Sequence, residues 1–359
     1  MKKTALTILA AAWCLTTPAA KPVKYDSFTP GSLWLDDNGV FINAHGGGML
    51  YHDGTYYWFG EHKTAGSRGN AAQVGVHCYS SEDLYNWRDE GIALHVSDDP
   101  GSEIARGCIL ERPKVIYNAK TGKFVMWFHL ELKGERYSSA RSGIAVADKA
   151  TGPYTYLRSV RSNPGILPMN VENPEKDSVE YRFVMRDLEK GQMQRDMTLF
   201  VDDDGKAYHI YASEDNKTTQ IAELTDDYLG HSGRYVRAFP FKILEGACIF
   251  KKDSLYYFMG SGCTGWAPNP AHSGVAPSIW GPWKEMGNPA TGSDAKTTYD
   301  SQSTYIFPVE GKKGAFIYMG DRWRPKDAID GRYIWLPIEF RDGRFFVPWM
   351  DKWDLNYFE

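Results

Sequence analysis

Five times along the chain an aromatic-rich run meets a Gly or Asp turn: HDGTYYWFG at 52–60, TGKFVMWFH at 121–129, DGKAYHIYA at 204–212, KKDSLYYFMG at 251–260 and GKKGAFIYMG at 311–320. Recurrence at roughly 50 to 80 residues predicts an all-β chain folded as a five-bladed β-propeller, each blade a small antiparallel sheet about a common axis. Asp53-Gly54 and Asp204-Gly205 sit between alternating apolar runs, which is hairpin chemistry. A radial array points one place in each unit at the axis, and Glu61, Glu111, Asp196, Glu245 and Gln302 stand at comparable places in successive units. Several acids converging on one small hole is the layout of a sugar-cleaving site.

A propeller of this kind needs about 300 residues, so the 359 present fit a single domain. The start reads Lys2-Lys3, an apolar stretch from Ala5 to Leu15, then Thr-Thr-Pro-Ala-Ala at 16–20. That pattern is a secretory signal peptide, 1–20, cleaved and too short to stay as a membrane span. It leaves 21–359 as the propeller, secreted or periplasmic. Cys14 follows Trp13, where a lipidation signal carries a small residue, so a lipoprotein is not expected. Cys78, Cys108, Cys248 and Cys263 remain in the mature chain, and no spacing forces a pairing; disulfides and buried thiols both stay open. The net charge of −4 is well mixed along the sequence, which excludes a nucleic-acid partner or an anionic membrane surface and disfavours a polyanionic substrate. With 12 Trp and 22 Tyr the chain can offer flat faces to sugar rings, although most of these side chains must pack between sheets.

Amphipathic helical patterns are scarce, and short β-branched and aromatic runs continue from Gly39 to Pro348. The polar segment 163–194, with Asn173-Pro174, reads as a long insertion between units two and three. A second loop, Gly262 to Ser278, sets Trp266 among turn residues as an exposed platform. The run RYIWLPIEFRDGRFFVPWMDKWDL, around Asp342-Gly343, supplies the last hairpin and joins the ends of the ring.

Cleaving a glycosidic bond requires a proton donor for the departing oxygen and, in an inverting enzyme, a base that activates water on the opposite face. Glu245, in KILEGACIFKK, precedes the outer hairpin of the fourth unit between apolar neighbours. Those surroundings penalise its charged form and suit a general acid, against the plainer reading of a blade-edge Glu paired with an Arg. Asp196, beside Arg195 in MQRDMTLFVDDDGKAY, reads as the charged neighbour that keeps the acid protonated; Asp202 to Asp204 read as a solvated hairpin turn. Glu111 in LERPKVIYN and Glu61 in YYWFGEHK hold the matching places in units two and one. The glycines of INAHGGGML allow close backbone approach at the axis but make no nucleotide loop, because GxxxxGK is missing. The nine histidines show no paired metal spacing, and His45 reads as an axial, hydrogen-bonded histidine at the sugar site. Gln302, in YDSQSTYIF, would by itself be a structural amide.

At these residues the chain resembles glycoside hydrolase family 43, and more closely its exo-β-1,3-galactanase subfamily, subfamily 24. INAHGGGMLYHDGTYYWFGE, LERPKVIYN, RDMTLFVDDDGKAY, ILEGACIF, TGWAPNP and SQSTYIF match subfamily blocks in order, from about Phe41 to Gly320. The resemblance implies a five-bladed propeller that inverts anomeric configuration, with Glu245 as general acid and Asp196 as modulator of its pKa. Most of the family takes its base from a first-blade Asp, whose place here is Ala44-His45-Gly46. The subfamily's answer implies Gln302 acting on the water through its imidic tautomer, with Glu111 nearby as the alternative base. It also implies Glu61, Tyr137, Thr264 and Trp266 as pocket residues. Where family members often carry Glu-Ala-Pro at the acid, Gly246-Ala247 follow Glu245 here, a departure that loosens the strand entry. No cofactor is implied; a central calcium occurs in some relatives, but no ligand cluster here compels one.

The activity so implied is removal of galactose from the β-1,3-galactan backbone of arabinogalactan-type glycans by a monomer. The alternatives are an α-L-arabinofuranosidase or β-xylosidase, against which the missing first-blade Asp argues, and an inactive glycan-binding propeller. Retention of Glu245, Asp196, Glu111 and Gln302 together argues against the last.

Overall fold

The computed structural model describes residues 23–71, 73–172, 174–175 and 178–359; the expected signal peptide at 1–20, with Cys14, and Asn173 lie outside them. Blade one comprises β1 His45–His52, β2 Thr55–Lys63, β3 Gln73–Ser81 and β4 Arg88–His95. Blade two comprises β5 Ile109–Asn118, β6 Lys123–Glu131, β7 Arg141–Ala147 and β8 Thr155–Val160. The polar insertion follows, carrying α1 Arg182–Arg186, the one α-helix among the described residues. Blade three holds β9 Met197–Val201, β10 Ala207–Ser213, β11 Thr218–Leu224 and β12 His231–Pro240, and blade four β13 Leu244–Lys252, β14 Leu255–Gly262, β15 Ala271–Ala276 and β16 Lys284–Gly287. Blade five has three strands, β17 Gln302–Pro308, β18 Phe316–Arg322 and β19 Arg332–Pro337, and a separate two-stranded sheet pairs β20 Glu339–Arg341 with β21 Arg344–Phe346. Each blade is an antiparallel meander, and the first strands β1, β5, β9, β13 and β17 contact one another in turn around the ring. The fold is a five-bladed β-propeller.

Side-chain alternation along each strand builds the ring. Trp58 and Phe59, adjacent in β2, face opposite ways: Trp58 packs with Ile317 and Trp335 of blade five, Phe59 with Val115 and Met126 of blade two. Three further clusters fill the remaining gaps between neighbouring blades, so every sheet is buried on both faces. Closure between blades five and one rests on side-chain packing and terminal tethers rather than on a shared strand. Phe28 bridges Trp353, Trp353 Nε1 donates to the Trp335 carbonyl, and the Leu355 N–H donates to Tyr85.

Several expectations need correcting. The aromatic turns mark the inner hairpin of each blade, not the outer one, because they join first and second strands. At Asp53-Gly54 both residues are left-handed, and so are Asp253 and Ser254, while at Asp204-Gly205 only the glycine is. Asp202 is no solvated turn residue: it accepts from Lys251 Nζ and from the Tyr256 hydroxyl across to blade four. The Asp342-Gly343 turn joins β20 to β21 rather than completing blade five, and the stretch Ala271–Ala276 of the supposed loop 262–278 is strand β15. All four described cysteines are free, three of them buried. Among the described residues no helix is long and apolar enough to cross a membrane.

Candidate active site

Four of the five inner strands begin with a β-bulge: between His45 and Gly48, Glu111 and Lys114, Glu245 and Cys248, and Ser303 and Tyr305. A bulge turns the side chain at its head away from the ladder. In three of them the next residue is left-handed, namely Gly46 at φ 59, Arg112 at φ 56 and Gly246 at φ 58. Each of these residues gives its backbone N–H to a carboxylate of the preceding blade. Gly46 donates to Asp321 Oδ2 at 3.0 Å, Arg112 to Glu61 Oε1 at 3.0 Å and Gly246 to Asp196 Oδ2 at 3.0 Å. The acids are thereby fixed by neighbouring blades. The glycine after Glu245 is required rather than a source of looseness, since a Cβ there would meet the Ser303 carbonyl oxygen at 2.4 Å.

The same register corrects the set of equivalent positions. Glu111, Glu245 and Gln302 do share a place near the head of an inner strand, but the blade-one residue there is His45. Glu61 lies opposite it on β2, as His129, Ser261 and Asp321 lie opposite the others. Asp196 stands just ahead of β9.

Arg112 is the hub. Its guanidinium reaches Asp196 Oδ2 at 2.8 Å and Gln302 Oε1 at 2.6 Å, and its ring neighbour is Trp323. Trp323 Nε1 also donates to Gln302 Oε1 at 2.9 Å, while Gln302 Nε2 donates to Ser261 Oγ at 2.9 Å and approaches Glu245 Oε2 at 3.5 Å. Burial, and then the negative charge of Asp196, push the Glu245 carboxyl up to about 7. An acid in that range is protonated where its neighbours are ionised, which is the state a general acid needs.

Glu111 is held differently. His129 Nδ1 bonds Glu111 Oε2 at 2.9 Å, and His129 Nε2 bonds Glu131 Oε1 at 2.9 Å, all three side chains being buried. Flanked by two carboxylates, His129 is raised to about 10; the imidazolium so formed helps hold Glu111 down at about 2. Tyr137 donates to the other oxygen of Glu111 at 2.8 Å and accepts from Asn70 Nδ2 at 2.8 Å. Lys63 gives Nζ to Asn70 Oδ1 at 2.8 Å and to Glu61 Oε2 at 2.9 Å beneath the Trp323 ring. Atoms of Glu111, His129 and Asp196 lie within 4.8 Å of one another, a spacing a metal ion could span. They do not fit one, because both His129 nitrogens already serve carboxylates and Asp196 Oδ2 serves Arg112.

Most of these groups line one cavity of about 730 Å³, with Glu131, Lys63 and Ser261 outside its lining. It gathers Glu61, Glu111, Tyr137, Asp196, Glu245, Trp266 and Gln302 of the sequence-derived set. Trp266 is 42 % exposed and meets Trp323 edge-on at 5.8 Å, as a platform at the mouth requires. Two expected residues do not line it. His45 is fully buried behind the wall, stacked on Tyr333, with Nδ1 3.4 Å from Asp321. Thr264 ties the Trp266 loop together, donating to the Ala267 carbonyl and accepting from Asn269. Sequence reasoning missed Arg112, Asn216, Asn70 and Trp323, all in the lining, and Lys63 and Asp321 behind it. Arg112 carried a signal, since it directly follows Glu111; Asn216 carried none beyond its place in a turn.

The model for glycosyl hydrolases family 43 matches residues 45–345. Among curated proteins none matches. Among solved structures the chain is similar to the GH43 β-1,3-galactosidase BT3683 with galactodeoxynojirimycin, at 54% identity over 91% of this chain and 100% of that one, TM-score 0.88. It is also similar to the exo-β-1,3-galactanase 1,3Gal43A of Clostridium thermocellum, at 35% identity over 91% of this chain and 66% of that one, TM-score 0.76. A variant of the Phanerochaete chrysosporium exo-β-1,3-galactanase with β-1,3-galactotriose shares 33% identity over 92% of this chain and 69% of that one, TM-score 0.76.

Proposed function

The chain belongs to family 43 of the glycosyl hydrolases, and from that premise we propose that it is an exo-acting β-1,3-galactosidase that inverts configuration. It releases galactose from the β-1,3-galactan backbone of arabinogalactan-type glycans and requires no cofactor. The observation that carries the reading is the Glu245 carboxyl, raised to about 7, opening into the same cavity as Glu111 and the Gln302 amide. Glu245 gives its proton to the departing glycosidic oxygen, and the charge of Asp196 keeps that proton on until then. Water approaches the anomeric carbon from the other side, aimed by Gln302 and Glu111. A purely glycan-binding propeller has no use for a carboxyl kept protonated, which speaks against that alternative. The leader at 1–20 supports export to the periplasm or beyond, with the protein acting there as a monomer on its saccharide.

The test is a product profile on β-1,3-galactobiose and on de-branched arabinogalactan, beside the β-1,4 and β-1,6 isomers. Galactose as the first and sole product from the β-1,3 substrates is expected. Binding without release would make the protein a lectin, and release of arabinose or xylose would move it to the other activities of the family.

A further inference from the structure

The hairpin between β10 and β11 is shaped by three consecutive non-glycine residues in the left-handed region, Glu214 at φ 53, Asp215 at φ 57 and Asn216 at φ 63. A connection alone does not need this; Asp53-Gly54 joins β1 to β2 with two residues. Strain of this kind persists only where the surroundings impose it. Here they do. Arg237 clamps both oxygens of buried Glu214 at 2.8 and 2.9 Å, Gln220 adds a third bond at 3.2 Å, and Arg186 holds Asp215 at 2.7 Å.

What the turn delivers is Asn216, whose Nδ2 donates to Glu245 Oε1 at 2.9 Å. The amide cannot be reversed without loss, because its other end, Oδ1, faces Arg195 Nη1 at 3.4 Å and a guanidinium only donates. Cys263 completes a triangle: its thiol donates to the same Glu245 oxygen at 3.1 Å and lies 3.7 Å from Asn216 Nδ2. Burial and the Glu245 carboxylate hold that thiol up at about 11, so it stays a donor. Oε1 therefore receives two donors, while among the described residues Oε2 is approached only by Gln302 Nε2, at 3.5 Å.

We propose that Asn216 is a positioning residue for the proton donor: by occupying Oε1 it confines the acid's proton to Oε2, the oxygen turned toward Gln302. This rests on the reading of Glu245 as general acid. A carboxyl free to carry its proton on either oxygen would present the wrong one part of the time. Donation to Oε1 also favours the ionised carboxyl, so Asn216 and Cys263 oppose Asp196 and Glu111, whose charges raise Glu245, and act in the same direction as Arg112.

Asn216→Gly removes the amide and leaves a residue at ease in the left-handed region; Asn216→Ala likewise removes the donor and adds no charge beside Glu245. For both variants kcat on β-1,3-galactobiose is followed against pH, with the melting temperature as the check on folding. The plateau should fall about ten-fold or more, and the alkaline limb should move upward by about half a unit or more. A lowered plateau with an unmoved limb would make Asn216 merely structural and overturn the proposal, as would an unchanged plateau. If Asn216→Gly fails to fold, Asn216→Ala carries the test. The carboxyl of Glu245 is titrated in parallel by carbon NMR, its signal identified by loss in Glu245→Gln. That arm reads the shift without turnover: an inactive wild type would defeat the assigned activity, whereas an unmoved titration in Asn216→Gly would defeat this inference alone.

Discussion

The Arg112 guanidinium lies 2.6 Å from the amide oxygen of Gln302. Trp323 Nε1, the second partner of that oxygen at 2.9 Å, can likewise only donate. An imidic tautomer would carry a hydroxyl there, with two donors and no acceptor to receive it. The bonding pattern thus holds Gln302 as an ordinary amide whose oxygen is occupied and whose Nε2 serves Ser261.

Arg112 should accordingly matter twice. Its side chain and that of Asp196 are 5% and 13% exposed, and removing one partner of a buried pair costs roughly 3–5 kcal/mol. Arg112→Met should show that loss in denaturant unfolding, together with a large fall in kcat, since Asp196 and Gln302 lose their common anchor. A variant as stable as wild type would mean the pair contributes little.

Glu245 links activity and stability to pH with a definite sign. Its folded pKa, about 7, lies above the ordinary value of 4.5, so its protonated form contributes stability that is complete below about 4.5 and is lost as pH rises through about 7. At 1.36 kcal/mol per unit the loss is on the order of 3 kcal/mol. Glu245→Gln, neutral throughout, should cut hydrolysis about 10²- to 10⁴-fold yet be more stable than wild type at pH 8 and no more stable at pH 4. Paired melting curves at the two values check this; parallel curves would place the Glu245 pKa near normal.

His129 follows the same sign at higher pH, while its partner Glu111 shows the opposite one. Raised to about 10, His129 contributes stability that is complete below about 6.5 and fades as pH climbs toward 10. Glu111, lowered to about 2, contributes above 4.5 and fades as pH falls through 2. The deficit of His129→Leu, roughly 3–5 kcal/mol for a broken buried pair, should therefore be greatest between about pH 4.5 and 6.5. Urea unfolding at pH 5.5 and 9.5 tests it, and a deficit that does not shrink at the higher pH would show that His129 is neutral.

The fold was legible because it is written locally: a turn and an alternating aromatic run recur in each unit, and each marks an inner hairpin. Glu111 and Glu245 were legible for the same reason, standing at the heads of inner strands. The links between them were not. Arg112 reaches Gln302 across 190 positions, and its carboxylate cap Glu61 across 51. A buried cation serving two blades looks in sequence like any strand-borne Arg. His45 misled because it holds the same bulge-head place as Glu111 and Glu245 yet packs on Tyr333 behind the wall, and Thr264 because a loop residue next to Trp266 can bind the loop instead of the ligand.

Trp266 should act in binding rather than in folding. It stands 42 % exposed, edge-on to Trp323, and an aromatic contact to a sugar face is worth about 1–2 kcal/mol by analogy with other aromatic contacts. Trp266→Ala should raise KM about ten-fold with kcat and melting temperature nearly unchanged. Loss of folding would instead place Trp266 in the core.

Stereochemistry is the sharpest test of the site, because among the described residues no Asp of blade one lines the cavity to act as base. A Cβ at Gly46 would meet Glu61 Oε1 at 2.2 Å, so no side chain can be introduced there without displacing Glu61. Glu111, lowered to about 2, is a weak base, with one oxygen on His129 and the other on Tyr137. Aim must therefore replace basicity: Gln302 and Glu111 orient the water, and after its attack the surplus proton passes to solvent water. Inversion asks only that water arrive opposite the departing group, in the space left when the flanking groups stand about 6.5–9.5 Å apart. Proton NMR of the fresh product should show α-galactose first from a β-linked substrate, and Gln302→Ala and Glu111→Ala should each lower kcat by about 10²-fold or more. Initial β-galactose would require a covalent intermediate and defeat this mechanism, whereas a fully active Gln302→Ala would leave Glu111 to direct the water alone.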